Sequence, residues 1–110
     1  MCRIIASALA ATALLFAAGT TPSAAGGSID AQRAAELERL VRQDCGSCHG
    51  MTLKGGLGPP IRATALVGRR PEELRTIILD GIPGTPMPPW RPLISEEEAE
   101  WIARYLLSAE

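Results

Sequence analysis

The sequence predicts a small all-α domain, and three features of the chain lead to this prediction. Apolar residues recur three and four positions apart in three separate segments, which is the spacing of one face of a helix. These segments carry residues typical of helix starts and ends. No segment shows a sustained alternation of apolar and polar residues, so we expect little or no sheet.

The first 25 residues have the pattern of a cleaved export signal. Arg3 supplies positive charge before the almost wholly apolar run 4–18, and the small residues that end at Ala25 fit the cleavage rule. The apolar run has about 15 residues, whereas a membrane-spanning helix needs roughly 20. An uncleaved N-terminal anchor is the alternative. We expect cleavage after Ala25, a mature periplasmic domain of residues 26–110, and no membrane attachment after cleavage.

Composition limits the function classes. The chain has 11 Lys and Arg residues against 12 Asp and Glu, with a formal net charge of −1, which gives no reason to expect binding to nucleic acid or a membrane surface. A chain of 110 residues holds one small domain, and small domains often need a disulfide, a metal or a covalent cofactor to be stable. Cys45 and Cys48 alone remain after cleavage, so a disulfide framework is not available, whereas a covalent cofactor would fill that need.

The first predicted helix runs from Ala31 to about Gln43. Ser28 or Asp30 can cap its start, because short polar side chains accept hydrogen bonds from the first turn of a helix. Its apolar residues share one face, with Arg and Glu on the other. The cysteines follow directly, and glycine and proline then predict a loop over residues 50–60.

The second and third helices have clear boundary signals. Pro71 suits a first helical position, and Gly81 suits the position just past a helix end. Ser95 followed three residues later by Glu98 predicts a reciprocal capping box. Residues 81–92, between the two helices, contain five prolines and therefore predict an extended, stiff loop.

The segment Cys45-Gly-Ser-Cys48-His49 is the strongest functional signal. Two cysteines three apart on a helical turn can each bond one vinyl group of a single porphyrin, and the next residue then places an imidazole beneath the iron. C-x-x-C-H in an exported chain is the signature of c-type haem attachment. We therefore expect one covalently bound haem c at Cys45 and Cys48, with His49 as an iron ligand.

Three other uses of the cysteines fit less well. A thioredoxin-like redox pair would need a strand–helix–strand context, which the sequence does not show. A structural zinc site typically needs four Cys and His ligands, whereas His49 is the only histidine of the chain. A disulfide between Cys45 and Cys48 would cross-link very little chain.

Met87 is the candidate for the second axial ligand. Lys54 and Met51 follow His49 too closely to reach the opposite side of the ring, whereas Met87 lies in the proline-rich loop. Flanking prolines reduce the entropy lost when the sulfur docks. Packing in the core is the alternative role for this methionine. Ligation by His and Met raises the reduction potential and leaves no open site for substrate, which favours electron transfer over catalysis.

Other residues around the site have weaker signals. The Pro59 carbonyl is the candidate acceptor for the second ring nitrogen of His49. Trp90, Arg62 and Arg91 are candidates for hydrogen bonds to the haem propionates, although each is also typical of a surface or packing position.

With these residues the chain resembles the class I c-type cytochromes over residues 28–110. The resemblance implies three main helices and loops around one covalently bound haem. It also implies that the first and last helices cross and that the methionine ligand lies on the loop before the last helix. We expect Trp101 and Tyr105, which lie four residues apart, to be core residues where these helices cross.

Two segments, residues 45–58 and 84–90, resemble the cytochrome c55X family more narrowly. This is a family of small periplasmic cytochromes encoded beside the cytochrome cd-type nitrite reductase of denitrifying bacteria. The resemblance implies a role in passing electrons to that reductase, and we expect a monomeric electron carrier rather than an enzyme. An accessory role in maturing the d-type haem of the reductase stays open as the alternative. A haem catalyst is a weaker reading, since Met87 would have to detach.

Overall fold

The computed structural model of the protein describes residues 28–110, so the expected export signal at residues 1–25 lies outside the described residues. Within 28–110 the chain is helical and has no strand, which confirms the all-α prediction. In chain order the elements are α1 (Ala31–Leu40), a single π-helical turn (Val41–Cys45), α2 (Gly46–His49), a 3₁₀ turn (Ala63–Ala65), α3 (Pro71–Asp80) and α4 (Glu96–Ser108). Among these helices none is long and apolar enough to cross a membrane.

The first helical segment is longer than predicted. The Asp30 side chain accepts a hydrogen bond from the Arg33 backbone N–H at 2.8 Å, so Asp30 is the N-cap of α1. At Val41 the helix widens into the π-helical turn and then continues as α2. Both cysteines and His49 therefore lie on helical backbone rather than on the loop that follows. Single π-helical turns occur often at functional sites.

The boundaries of α3 and α4 follow the sequence signals. Pro71 is the first residue of α3, and Gly81 follows its end with a φ of +66°. Ser95 caps α4: its hydroxyl accepts from the Glu98 N–H at 3.1 Å, and the Glu98 carboxylate accepts from the Ser95 N–H at 2.8 Å. The predicted capping box is confirmed.

Helix α4 lies against both α1 and α3 and forms the centre of the fold. The buried core comprises Leu37, Val41, Leu53, Leu66, Leu74, Ile78, Leu79, Ile94, Ala99, Ile102, Ala103 and Leu106. Trp101 and Tyr105 stack with ring centroids 5.3 Å apart, and both pack against this core. The Tyr105 hydroxyl donates to the Glu38 carboxylate of α1 at 3.2 Å, so Tyr105 lies where α1 and α4 meet. Both aromatic residues are only partly buried, so they lie beside the core and are not the core residues that the sequence predicted.

A second polar contact joins α1 to the start of α4. The Arg33 guanidinium donates to the Glu98 carboxylate, and this hydrogen bond lowers the pKa of Glu98 below its usual range. Glu98 is therefore ionised near neutral pH. The same residue closes the capping box and fixes the position of α4 relative to α1.

Candidate functional site

The two cysteines lie three residues apart on one helical segment. Cys45 is the last residue of the π-helical turn and Cys48 lies in α2, and both are half-buried free thiols. Cys45 packs against the core, and its burial, with a smaller contribution from the Asp44 carboxylate, raises the pKa of its thiol to about 11. The attacking cysteine of a thioredoxin-like pair has a lowered pKa instead. The environment of Cys45 therefore does not fit that alternative.

The zinc alternative also lacks a suitable site. Within residues 28–110, no group of three or more His, Cys, Asp or Glu side chains is arranged to hold a metal ion. A structural zinc site typically has four such ligands.

His49 ends α2 with its ring in a fixed orientation. Its Nδ1 lies 2.7 Å from the Pro59 carbonyl oxygen, so an Nδ1–H group donates to that carbonyl. A proton on Nδ1 leaves the lone pair on Nε2 available for a metal. A backbone carbonyl that fixes the tautomer in this way is typical of metal-binding histidines.

The loop between His49 and Pro59 folds tightly against the end of α2. The Gly55 N–H donates to the His49 carbonyl and the Gly58 N–H donates to the Cys48 carbonyl, each at 2.8 Å. These bonds satisfy carbonyls that the end of a helix leaves free. Leu53 anchors the loop in the core, with 7% exposure and a left-handed φ of 60°.

Gly58 packs against the imidazole and was not assigned a role from the sequence. A Cβ built on Gly58 would lie 2.8 Å from both Cε1 and Nδ1 of His49, closer than such atoms approach in proteins. Glycine is therefore required for the ring to occupy its observed position. Its place beside Pro59 was the only available sequence signal.

Met87 lies in the loop of residues 81–95, outside the core. It is half-buried, and it is neither a core residue nor one of the partly buried apolar residues that pack against the core. Its carbonyl accepts from the Ile82 N–H at 3.3 Å, and its own N–H donates to the Thr85 hydroxyl at 3.3 Å. Its backbone is thus held within the loop, and core packing, the alternative role, does not describe its side chain.

The three candidates for propionate contacts have different surroundings. Trp90 is half-buried and packs against the core. The Arg91 guanidinium contacts the carboxylates of Asp80 and Glu96. Arg62 lines a surface groove together with Arg42 and Tyr105, among other residues. The propionate role of all three residues stays a prediction.

The residues of the site fit a covalently bound haem. Two thiols lie at the attachment spacing, the imidazole is held with one nitrogen free, and a thioether lies outside the core. A fold of three main helices carries these groups in the order expected from the sequence.

Comparison with known proteins agrees with this chemistry. The family described as cytochrome C oxidase, cbb3-type, subunit III matches residues 32–106. Cytochrome c55X of Paracoccus denitrificans (strain Pd 1222) is 59% identical over 97 residues, which cover 88% of this chain and 91% of that protein. The chain belongs to the cytochrome c55X family of c-type cytochromes. Haem c is the cofactor of c-type cytochromes, and electron transfer is their role.

Solved structures of related cytochromes have the same fold. The c-type cytochrome NirC is 50% identical, with a TM-score of 0.69 over 71% of this chain and 92% of that one, which confirms the class I cytochrome c fold. The dihydro-heme d1 dehydrogenase NirN, solved in complex with DHE, is 34% identical with a TM-score of 0.61. That match covers 66% of this cytochrome but only 16% of the larger protein.

Proposed function

We propose that this cytochrome is a periplasmic monohaem electron carrier that donates electrons to a cytochrome cd-type nitrite reductase in denitrification. The observation that carries the proposal is the 59% identity to cytochrome c55X over nearly the whole chain. The resemblance to that family, whose members are encoded beside this reductase, suggests the partner. Residues 1–25 would direct export, and residues 26–110 would act as a monomer.

We assign Cys45 and Cys48 to covalent attachment of one haem, with His49 and Met87 as axial ligands. When bound, the haem iron supplies one-electron chemistry between its ferric and ferrous states. The Pro59 carbonyl keeps His49 Nε2 free for the iron. The Met87 backbone is held within its loop, which limits the rearrangement of the sulfur during electron transfer. His49 and Met87 would both bind the iron of the haem when it is attached, which would leave no position for a substrate.

Stopped-flow mixing tests the proposed partner. Reduced cytochrome is mixed with oxidised, mature nitrite reductase, and the haem absorbance is followed with time. We expect rapid oxidation with a rate that rises with reductase concentration, as in a transient redox encounter. A matched sample without reductase gives the background. Oxidation no faster than this background, at any reductase concentration, would contradict the proposal.

A role in maturing the d-type haem is the second candidate. It is favoured by the likeness to the dihydro-heme d1 dehydrogenase NirN, which extends over two thirds of the cytochrome. Reductase purified from a strain that lacks the cytochrome distinguishes the two functions. A carrier leaves the d-type haem in that reductase, whereas a maturation factor leaves the reductase without it and transfers electrons to mature reductase only slowly.

A further inference from the structure

We propose that Arg91 is a positioning residue for Met87, because it binds Asp80 and Glu96 and thereby holds the Met87 loop closed. The Met87 loop is residues 81–95, which connect α3 to α4. The inference rests on the proposed function, in which Met87 ligates the haem iron.

The Met87 loop begins with a small turn that closes on itself. The Ile82 N–H donates to the Met87 carbonyl at 3.3 Å, and the Thr85 N–H donates to the Ile82 carbonyl at 3.1 Å. The turn packs closely on Gly81, since a Cβ built there would lie 2.6 Å from the Met87 carbonyl oxygen. These contacts shape the turn internally but do not attach the following residues to the helices.

Attachment occurs just after Met87, at the end of α3. The Trp90 N–H donates to the Ile78 carbonyl and the Arg91 N–H donates to the Leu79 carbonyl, each at 3.1 Å. Both acceptors belong to the last turn of α3, whose carbonyls have no partner within the helix. The backbone of the loop at Trp90 and Arg91 is therefore hydrogen-bonded to the C-terminal end of α3.

The Arg91 side chain adds the only described bridge between this attachment point and both flanking helices. Its Nε and Nη2 atoms donate to Asp80 Oδ1 at 2.9 and 2.7 Å, and its Nη1 donates to Glu96 Oε1 at 3.2 Å. Asp80 is the last residue of α3 and Glu96 is the first residue of α4. One guanidinium thus links the two ends of the loop.

The segment that connects Met87 to Arg91 has little conformational freedom. Pro88 and Pro89 follow Met87 directly, and the fixed φ of proline removes most of the freedom of that connection. Trp90 then packs against the core. Displacement of the Met87 backbone away from a ligand position is therefore opposed by the contacts at Trp90 and Arg91.

These contacts act on local opening more than on global unfolding. The Arg91, Asp80 and Glu96 side chains are about half exposed or more, and such ion pairs add little to the stability of a whole domain. Opening of a single loop breaks few contacts, so the same ion pairs contribute a larger fraction of the free energy that opposes opening. We expect the loss of Arg91 to raise the open fraction of the loop.

The test compares Arg91→Gln with Arg104→Gln in the ferric holoprotein, using imidazole as the probe of iron accessibility. Arg104 is a matched control because it is an exposed arginine that pairs with Glu100 at 2.7 Å within α4. The affinity for an external ligand scales with the open fraction, so Arg91→Gln should bind imidazole about three- to tenfold more tightly than the parent. Arg104→Gln should bind it like the parent, while both variants unfold in denaturant at similar concentrations.

Equal imidazole affinity for the two variants would overturn the inference. If Arg91→Gln does not fold, Asp80→Asn provides a second variant that removes the negative charge of the acceptor at Asp80, and a rise in affinity in the same direction is expected. The proposed ligation is checked separately by the charge-transfer absorption band of methionine-ligated ferric haem in the parent protein. If the band is present and neither variant differs from the control, the positioning role fails while ligation by Met87 stands. Absence of the band in the parent would overturn both.

Discussion

Replacement of Met87 by alanine will lower the reduction potential of the cytochrome and open its iron to external ligands. The thioether favours the ferrous state, so its loss should shift the potential downward by on the order of 0.1 V or more, within the roughly 0.8 V range that axial ligands span. Potentiometric titration of the purified holoprotein measures the shift, and imidazole binding to the ferric form measures access to the iron.

Met51→Ala is the matched control for this experiment. Met51 is 67% exposed and lies two residues after His49, so its removal should leave the potential and the imidazole affinity unchanged. An unchanged potential in Met87→Ala would show that Met87 is not the ligand. A shift in Met51→Ala alone would instead assign the ligand to the other methionine.

Gly58→Ala will displace the proximal imidazole. The new Cβ would lie 2.8 Å from Cε1 and Nδ1 of His49, and the ring is held by the Pro59 carbonyl and cannot move without weakening that hydrogen bond. Overpacking of this kind costs about 1–3 kcal/mol. We expect a loss of that size in the free energy of unfolding, measured by denaturant titration of the ferric holoprotein through its haem absorbance.

Gly46→Ala tests whether the effect comes from the contact with His49 or from any added methyl group in the attachment segment. Gly46 is buried in α2 with helical backbone angles, and its Cβ would approach other atoms no closer than 3.4 Å, an ordinary contact. This variant should unfold within about 1 kcal/mol of the parent, since alanine favours helix over glycine. Equal destabilisation of the two variants would contradict the role given to Gly58.

The main helices could be predicted because their signals are local. A capping box at Ser95, a proline at the first position of α3 and apolar residues at helical spacing depend on neighbours only a few residues away. Ala99, Ile102 and Leu106 lie at helical spacing in α4, and all three are buried in the structure. The residues that determine these helices lie within them or directly beside them, so the helices could be predicted from one sequence.

Features that depend on distant contacts were not predicted. The π-helical turn at Val41–Cys45 has no signature in the spacing of apolar residues. A π-helical turn contains one more residue than an α-helical turn, and its position depends on how the helix packs on either side of it. The left-handed Leu53 is held by burial and by the Ile61 N–H, which donates to its carbonyl at 3.0 Å. The contacts of Arg91 with Asp80 and Glu96 join the ends of two helices, so no local sequence pattern predicted them.

The candidate site falls between these two cases. The attachment motif is contiguous, so Cys45, Cys48 and His49 could be identified directly from the sequence. The Pro59 carbonyl was proposed as the partner of His49 from loop chemistry, and the structure places it 2.7 Å from Nδ1. The fit of Gly58 against the ring could not be predicted, because it is a distance of tenths of an ångström between two folded segments.

Intact-protein mass spectrometry tests the covalent attachment most directly. The cytochrome is produced with a working attachment system, purified from the periplasm, and compared with a variant in which Cys45 and Cys48 are both serine. The parent should be heavier than its mature polypeptide by the mass of one haem, and the variant should have the mass of the polypeptide alone. A parent protein with the mass of the bare polypeptide would contradict the account.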